Sequence, residues 1–271
     1  MASDILKRIV QAKQAEVRAA REEIPLRRLR EAAEARSDFR PFLEPLKAPG
    51  PSGVNIIAEV KRASPSKGMI CKALDPGRLA ASYAAGGAAA VSVLTERSFF
   101  LGSPEDLQQA RAACTLPVLR KDFIFCDYQL YESAVIGADA VLLIVRILSE
   151  RKLSDLIRLA SRLGLATLVE VYSAAELKAA DRAGAQLIGI NNRNLSSFET
   201  DLGRTLRLVP QMGPGQVAVA ASGIGSREDI RRYQALGVFN FLIGESLVRS
   251  DNPAGFLKML QGENEGCRGT N

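Results

Sequence analysis

Eight short apolar runs, four of them opened by a glycine at a near-constant interval, predict a closed eight-stranded β/α barrel with an N-terminal helical extension. Gly87, Gly137, Gly184 and Gly237 each end an amphipathic stretch, at spacings of 50, 47 and 53 residues. A glycine so placed is the usual stop of a helix before a buried parallel strand. Four further apolar runs lie between these, so a strand–helix unit recurs at intervals of about 25 residues, long enough for a crossover helix. The first strand ends Glu59-Val60-Lys61, not in the glycine-rich turn of an open dinucleotide-binding sheet. The expected class is α/β, a (β/α)8 TIM barrel over residues 54–260 that forms one domain with the extension at residues 1–48.

In chain order, Leu6, Ile9, Val10, Lys13 and Val17 recur at helical spacing, and a second helical stretch covers residues 25–36. These helices are too short for a core of their own and are expected to pack on the barrel. Residues 45–53, rich in Pro and Gly, read as a linker. The strands then follow as VNIIAEV (54–60), AAVSVL (89–94), LPVLRKD (116–122), DAVLLIV (139–145), LATLVEV (165–171), QLIGI (186–190), QVAVAAS (216–222) and FNFLIG (239–244).

Composition excludes several chemistries. The chain has no histidine, which removes Ser-His-Asp and Cys-His catalysis and histidine metal sites. Cys71, Cys114, Cys126 and Cys267 are far apart, without a Cys-x-x-Cys pair, so neither zinc nor a disulfide framework is expected. No apolar run approaches the roughly 20 residues of a membrane span. Asp4, Glu16, Glu22 and Glu23 argue against a transit peptide, and a cytoplasmic protein is expected. The net charge of +6 is spread among acidic residues, which suits a solvated surface or an anionic small molecule better than nucleic acid.

Barrel enzymes carry their sites at the C-terminal ends of the strands. Glu59 and Lys61 share one face of the first strand, by alternation. Lys121 ends the third strand, Glu170 the fifth, and Asn191 and Arg193 the sixth. One such charge is usually a surface ion pair; four, Glu59, Lys61, Lys121 and Glu170, gathered at three strand ends point to a site where they compensate one another. The seventh and eighth strands end Ala221-Ser222-Gly223-Ile224-Gly225 and Ile243-Gly244-Glu245-Ser246, where glycines let backbone N–H groups approach a phosphate. Glu245 is expected to point away from that anion.

The segments IIAEVKRASPSKG (56–68), SVLTE (92–96), FFLGS (99–103), LRKDFIF (119–125), GADAVLLIV (137–145), IGINNRNL (188–195), ASGI (221–224) and FLIGESL (241–247) closely resemble indole-3-glycerol phosphate synthases, in register from about residue 4 to about 260. The resemblance implies ring closure, decarboxylation and dehydration of 1-(2-carboxyphenylamino)-1-deoxyribulose 5-phosphate, with no metal or organic cofactor. It implies a phosphorylated small-molecule partner, no nucleic-acid or membrane partner, and a monomer or at most a weak dimer. By resemblance, Lys121 is the general acid, Glu170 and Glu59 are catalytic carboxylates, Lys61 lies between substrate carboxylate and phosphate, and Asn191 positions the substrate. Ser64, Arg193, Ser222, Gly223 and Gly244 resemble phosphate-side contacts, and Phe100, Phe123 and Leu142 the walls against the anthranilate ring. Ala221 stands where these enzymes usually carry a glutamate that contacts substrate, so restoring Glu there is expected to raise turnover. Two alternatives stay open on the residues alone: another phosphate-binding barrel, such as a phosphoribosylanthranilate isomerase, and a weakly active binding protein on the same fold.

Overall fold

The computed structural model describes residues 3–194 and 199–263; Cys267 lies outside them. Two helices open the chain, α1 (Ser3–Glu23) and α2 (Leu26–Glu34). Eight strands follow: β1 (Asn55–Val60), β2 (Ala90–Leu94), β3 (Val118–Lys121), β4 (Ala140–Ile144), β5 (Ala166–Val171), β6 (Leu187–Asn191), β7 (Val217–Ala221) and β8 (Asn240–Ile243). Every neighbouring pair is parallel, and β1 pairs with both β2 and β8, which closes the barrel. The crossovers contain α3 (Pro76–Ala85), α4 (Pro104–Ala113), α5 (Asp127–Val135), α6 (Glu150–Arg162), α7 (Ala174–Arg182), α8 (Gly203–Leu208) and α9 (Arg227–Gln234). Two helices end the described chain, α10 (Glu245–Val248) and α11 (Pro253–Gln261).

Local chemistry sets where the helices begin and stop. Asp75, Ser103, Ser149, Ser173, Ser226 and Asn252 each accept a hydrogen bond from an amide in the first turn of the helix that follows, which satisfies donors the helix cannot. Gly87, Gly137, Gly184 and Gly237 all have φ between 75° and 94°, the left-handed stop that their spacing predicts.

Alternation along the strands builds two apolar layers. Ile57, Leu119, Leu142, Leu168, Val219 and Leu242 fill the barrel interior. Val60, Val93, Val141, Val169 and Ile188 face the helices. The segment expected to be a linker is part of this interior. Glu44–Lys47 forms a 3-10 turn, and Leu46 is buried against the inner layer. Asn55 donates to the carbonyls of Pro45 and Ala48 at 3.3 and 2.8 Å, and Asn240 donates to that of Leu46 at 3.0 Å. The turn therefore stoppers the end of the barrel where the strands begin. Its Pro and Gly content hid the one residue that decides its place, Leu46.

The extension closes the other end. Leu29 and Ala33 of α2 join the outer layer. Ile9 of α1 joins the inner one, with Ile5 and Leu6 packed beside it. One turn beyond Ile9, the apolar stripe of α1 contains Lys13, only 1% exposed. Its ammonium lies 3.0 Å from Asp122 Oδ1 and 2.8 Å from Glu16. Asp122 also accepts from Thr95 Oγ1 at 2.7 Å, Arg120 at 3.1 Å and the Phe123 amide at 2.8 Å. Burial alone would raise the Asp122 carboxyl, but the charges of Lys13 and Arg120 outweigh it and hold the group below the usual carboxylate range. Among the described residues no helix is long and apolar enough to cross a membrane.

The Lys13–Asp122–Arg120 cluster predicts a specific pH signature. Asp122→Asn leaves two buried cations short of a partner and should cost about 3–5 kcal/mol near neutral pH, read by denaturant unfolding. Because the folded carboxyl titrates below its unfolded value, the contribution is complete above roughly pH 4 and is lost as pH falls through the folded value. The gap between parent and variant should therefore narrow in acid; a gap independent of pH would remove Asp122 as its source.

Candidate active site

The ends of β1, β3, β5 and β6 bring the predicted charges together. Glu59, on the inner face of β1, is 3% exposed. Lys61, two residues on and on the same side, places its ammonium 2.8 Å from Glu59 Oε1. Lys121 reaches in from β3, with its ammonium 3.9 Å from Glu59 Oε2 and 3.9 Å from Glu170 Oε2. Asn191 of β6 donates to Glu170 Oε1 at 3.2 Å and accepts from the Arg193 amide at 3.0 Å. Two ammoniums and two carboxylates thus alternate around the mouth. Burial pushes the Glu59 carboxyl up, but Lys61 and Lys121 outweigh it and keep the group below the usual range. Glu59 is therefore an anion at neutral pH.

Beside the quartet lies a cradle made by the ends of β7 and β8. Ser222 and Gly223 both adopt positive φ, 69° and 79°. For Ser222 this is a conformation that side chains disfavour, and such strain gathers at binding sites. Gly244 is required by close approach: a Cβ there would meet Glu59 Oε1 at 2.5 Å. A short antiparallel hairpin after β1 (Ala63–Ser64 with Gly68–Met69) leans over the cradle. Arg193 donates to Ser66 Oγ of that hairpin at 2.8 Å. Arg193 Nε and Ser246 Oγ are buried and have no hydrogen-bond partner among the described residues, so two donors at the cradle stand ready for an acceptor. Glu245 does not point away as expected. It borders the cavity, with its carboxylate 3.7 Å from Arg193.

The opposite wall is apolar. Phe100 and Phe123 face each other with ring centroids 6.0 Å apart, and Leu142 lies below them on β4. The Phe100 segment is fixed by Glu96, whose buried carboxylate accepts the amides of Ser98, Phe99 and Phe100 at 3.0, 2.7 and 2.9 Å. Ile5, Leu6 and Ile9 of α1 complete the wall.

The result is one cavity of about 400 Å³. Glu59, Lys61, Lys121, Glu170, Asn191, Ser64, Arg193, Ser222, Gly223, Gly244, Phe100, Phe123 and Leu142 all border it, as does Ala221. A planar apolar group fits against the phenylalanines, an anion against the cradle, and a polar reacting centre at the quartet between them. Sequence reasoning missed the three α1 residues, Ser246, and the supporting pair Glu96 and Asp122. A lysine inside an apolar stripe was the one signal that pointed to α1 as a partner of a strand tip. Among the described residues, no group of three or more Asp, Glu, Cys or His side chains is placed to hold a metal ion.

Comparison with known proteins agrees with the resemblance. A family model described as indole-3-glycerol phosphate synthase matches residues 6–260. The indole-3-glycerol phosphate synthase of Desulfosudis oleivorans is 58% identical over 259 residues, covering 95% of this chain and 98% of its own. That of Syntrophobacter fumaroxidans is 52% identical over 260 residues, covering 96% and 98%. Among solved structures, 3-hexulose-6-phosphate synthase from Salmonella typhimurium matches with a TM-score of 0.62 over 77% of this chain and 97% of its own, at 13% identity. This last is a likeness of fold alone.

The charge quartet gives a direct titration test. Lys61→Met removes the nearest cation from Glu59 and leaves the desolvation that opposes ionisation, so the Glu59 carboxyl should titrate higher than in the parent by carbon-detected NMR. An unmoved titration would place the cause elsewhere.

Proposed function

Starting from the premise that the chain belongs to the indole-3-glycerol phosphate synthase family, we propose that the quartet of Glu59, Lys61, Lys121 and Glu170 performs the family's reaction inside this cavity. The activity is a carboxy-lyase step of tryptophan biosynthesis, yielding indole-3-glycerol phosphate from 1-(2-carboxyphenylamino)-1-deoxyribulose 5-phosphate. The observation that carries the assignment of residues is the convergence of four charges from three strand ends between an aromatic wall and an anion cradle.

In this reading the anthranilate ring lies against Phe100, Phe123 and Leu142. The phosphate enters the cradle of Ser64, Arg193, Ser222, Gly223 and Gly244, joined by Ser246. The ring carbon that carries the carboxylate attacks the ketone carbon, and Lys121 delivers a proton to the ketone oxygen as the new bond forms. The bond to the carboxylate then breaks, carbon dioxide leaves, and its electron pair restores the aromatic ring. The hydroxyl created in the first step departs as water, and the neighbouring carbon gives up a proton. Glu170, oriented by Asn191, takes that proton. Lys61 protonates the departing oxygen. Glu59, held ionised, is a weakened base; it keeps the two ammoniums together against their mutual repulsion. Residues 1–48 belong to the same working unit as the barrel, because α1 supplies part of the aromatic pocket. A cytoplasmic location and a monomer, or at most a weak dimer, are part of the proposal; for the location, Cys71, Cys114 and Cys126 are free thiols, as a reducing compartment leaves them.

Indole fluorescence during turnover tests these roles. Lys121→Ala should lower kcat by about 10²–10⁴-fold with a smaller change in KM; undiminished product formation would refute the acid. Ala221→Glu should raise kcat/KM, because it restores a polar contact beside Asn191, its neighbour across the β6–β7 ladder. An unchanged or lower value would mean that this site does not use that contact.

A further inference from the structure

The cradle contains a carboxylate that the reaction does not use. Glu245, the first residue of α10, sits beside Gly244 and borders the cavity. Three cations surround it. Arg249 Nε is 3.4 Å away, Arg193 3.7 Å, and Lys67 Nζ 3.9 Å. They come from three separate segments: α10 and its end, the tip of β6, and the hairpin after β1. Glu245 is the anion that all three share.

We propose that Glu245 is a resident anion of the cradle, a carboxylate that an incoming phosphomonoester displaces from the cations and whose charge sets how tightly the cradle holds a dianion. The inference rests on the reading of this cradle as the phosphate site. The contacts have the character such a role needs. All three exceed the 2.7–3.2 Å of a nitrogen–oxygen hydrogen bond, so the carboxylate is held by charge alone and gives way without breaking a directional bond. The donors best placed for a ligand are not spent on it: Arg193 Nε and Ser246 Oγ remain buried and unpartnered. In a cradle without a ligand, three cations within reach of one another repel, and Glu245 offsets that repulsion.

Charge balance explains what the carboxylate contributes. Lys67, Arg193 and Arg249 against Glu245 leave a net of two positive charges, the complement of a phosphate dianion. Without Glu245 the excess is three, which favours tighter capture of substrate and, equally, slower escape of a product that keeps the same phosphate. Glu245 thus trades affinity for release. It acts through the cations and touches no reacting atom, so it is a residue that tunes specificity and affinity.

The test uses the intact protein, inorganic phosphate and calorimetry, with Glu245→Gln and Arg193→Met as variants. Gln keeps the size of the side chain and removes its charge. Glu245→Gln should bind phosphate about 10-fold more tightly and show product inhibition strengthened by a similar factor, the gain shrinking at high salt. Phosphate binding that is lost in Arg193→Met but unchanged or weaker in Glu245→Gln would overturn this inference and leave the cradle reading standing. Parent protein that binds no phosphate, with Arg193→Met leaving the KM for substrate unmoved, would overturn both.

Discussion

The mouth of the barrel depends on mutual neutralisation of charges that none of its strands could carry alone. The interior beneath is apolar, built from residues such as Ile57, Leu119 and Leu168, and a lone ion there would be costly. Against its burial, Glu59 is held below the usual carboxylate range chiefly by Lys61 and Lys121. Lys121 also faces Glu170 across the barrel, 3.9 Å away. These four charged groups are therefore not additions to a finished scaffold. Removing any one changes the state of the others, which is why their effects on rate should not add.

A second buried set supports the first from behind. Asp122 follows Lys121 directly in the chain and is gripped by Lys13, Arg120 and Thr95. The same contact pins α1, whose Ile9 lies one turn before Lys13 and closes the cavity. Strand tip and lid are thus fixed by one ion pair, 109 residues apart in sequence. Lys121 turns into the quartet while Asp122 binds Lys13, Arg120 and Thr95, so adjacent residues at the end of β3 serve chemistry and structure separately.

That division explains what was legible in the sequence. The barrel and the quartet follow from rules of spacing: a period of strand and helix, left-handed glycines, and charges at strand ends on a fixed face. The lid was harder. A helical stripe of Leu6, Ile9 and Val17 says that one face is buried, not what it is buried against. Lys13 in that stripe was informative, since a lysine in an apolar face needs a buried partner, but the partner is remote. Residues 45–53 misled because Pro and Gly describe backbone freedom, whereas Leu46 decides where the segment goes. Glu245 was placed wrongly for a related reason: near a phosphate loop a carboxylate looks repelled, until the three cations around it are counted.

Counting charge over the whole site ties these parts together. The quartet is balanced, two ammoniums against two carboxylates. The cradle is not, with three cations against Glu245. An anionic ligand would therefore meet its attraction at the cradle, away from the quartet, and under the proposed function would be drawn in phosphate first. In the proposed reaction the binding energy of the phosphate would be spent far from the bond that forms, leaving the balanced quartet free to respond to charge as it develops on the ketone oxygen. A cavity with its excess charge at the quartet would bind the substrate carboxylate more firmly and resist its loss as neutral carbon dioxide. The separation of a balanced quartet from a positive cradle suits the proposed decarboxylation, and it is set by which strand ends carry the lysines and which carry the glycines.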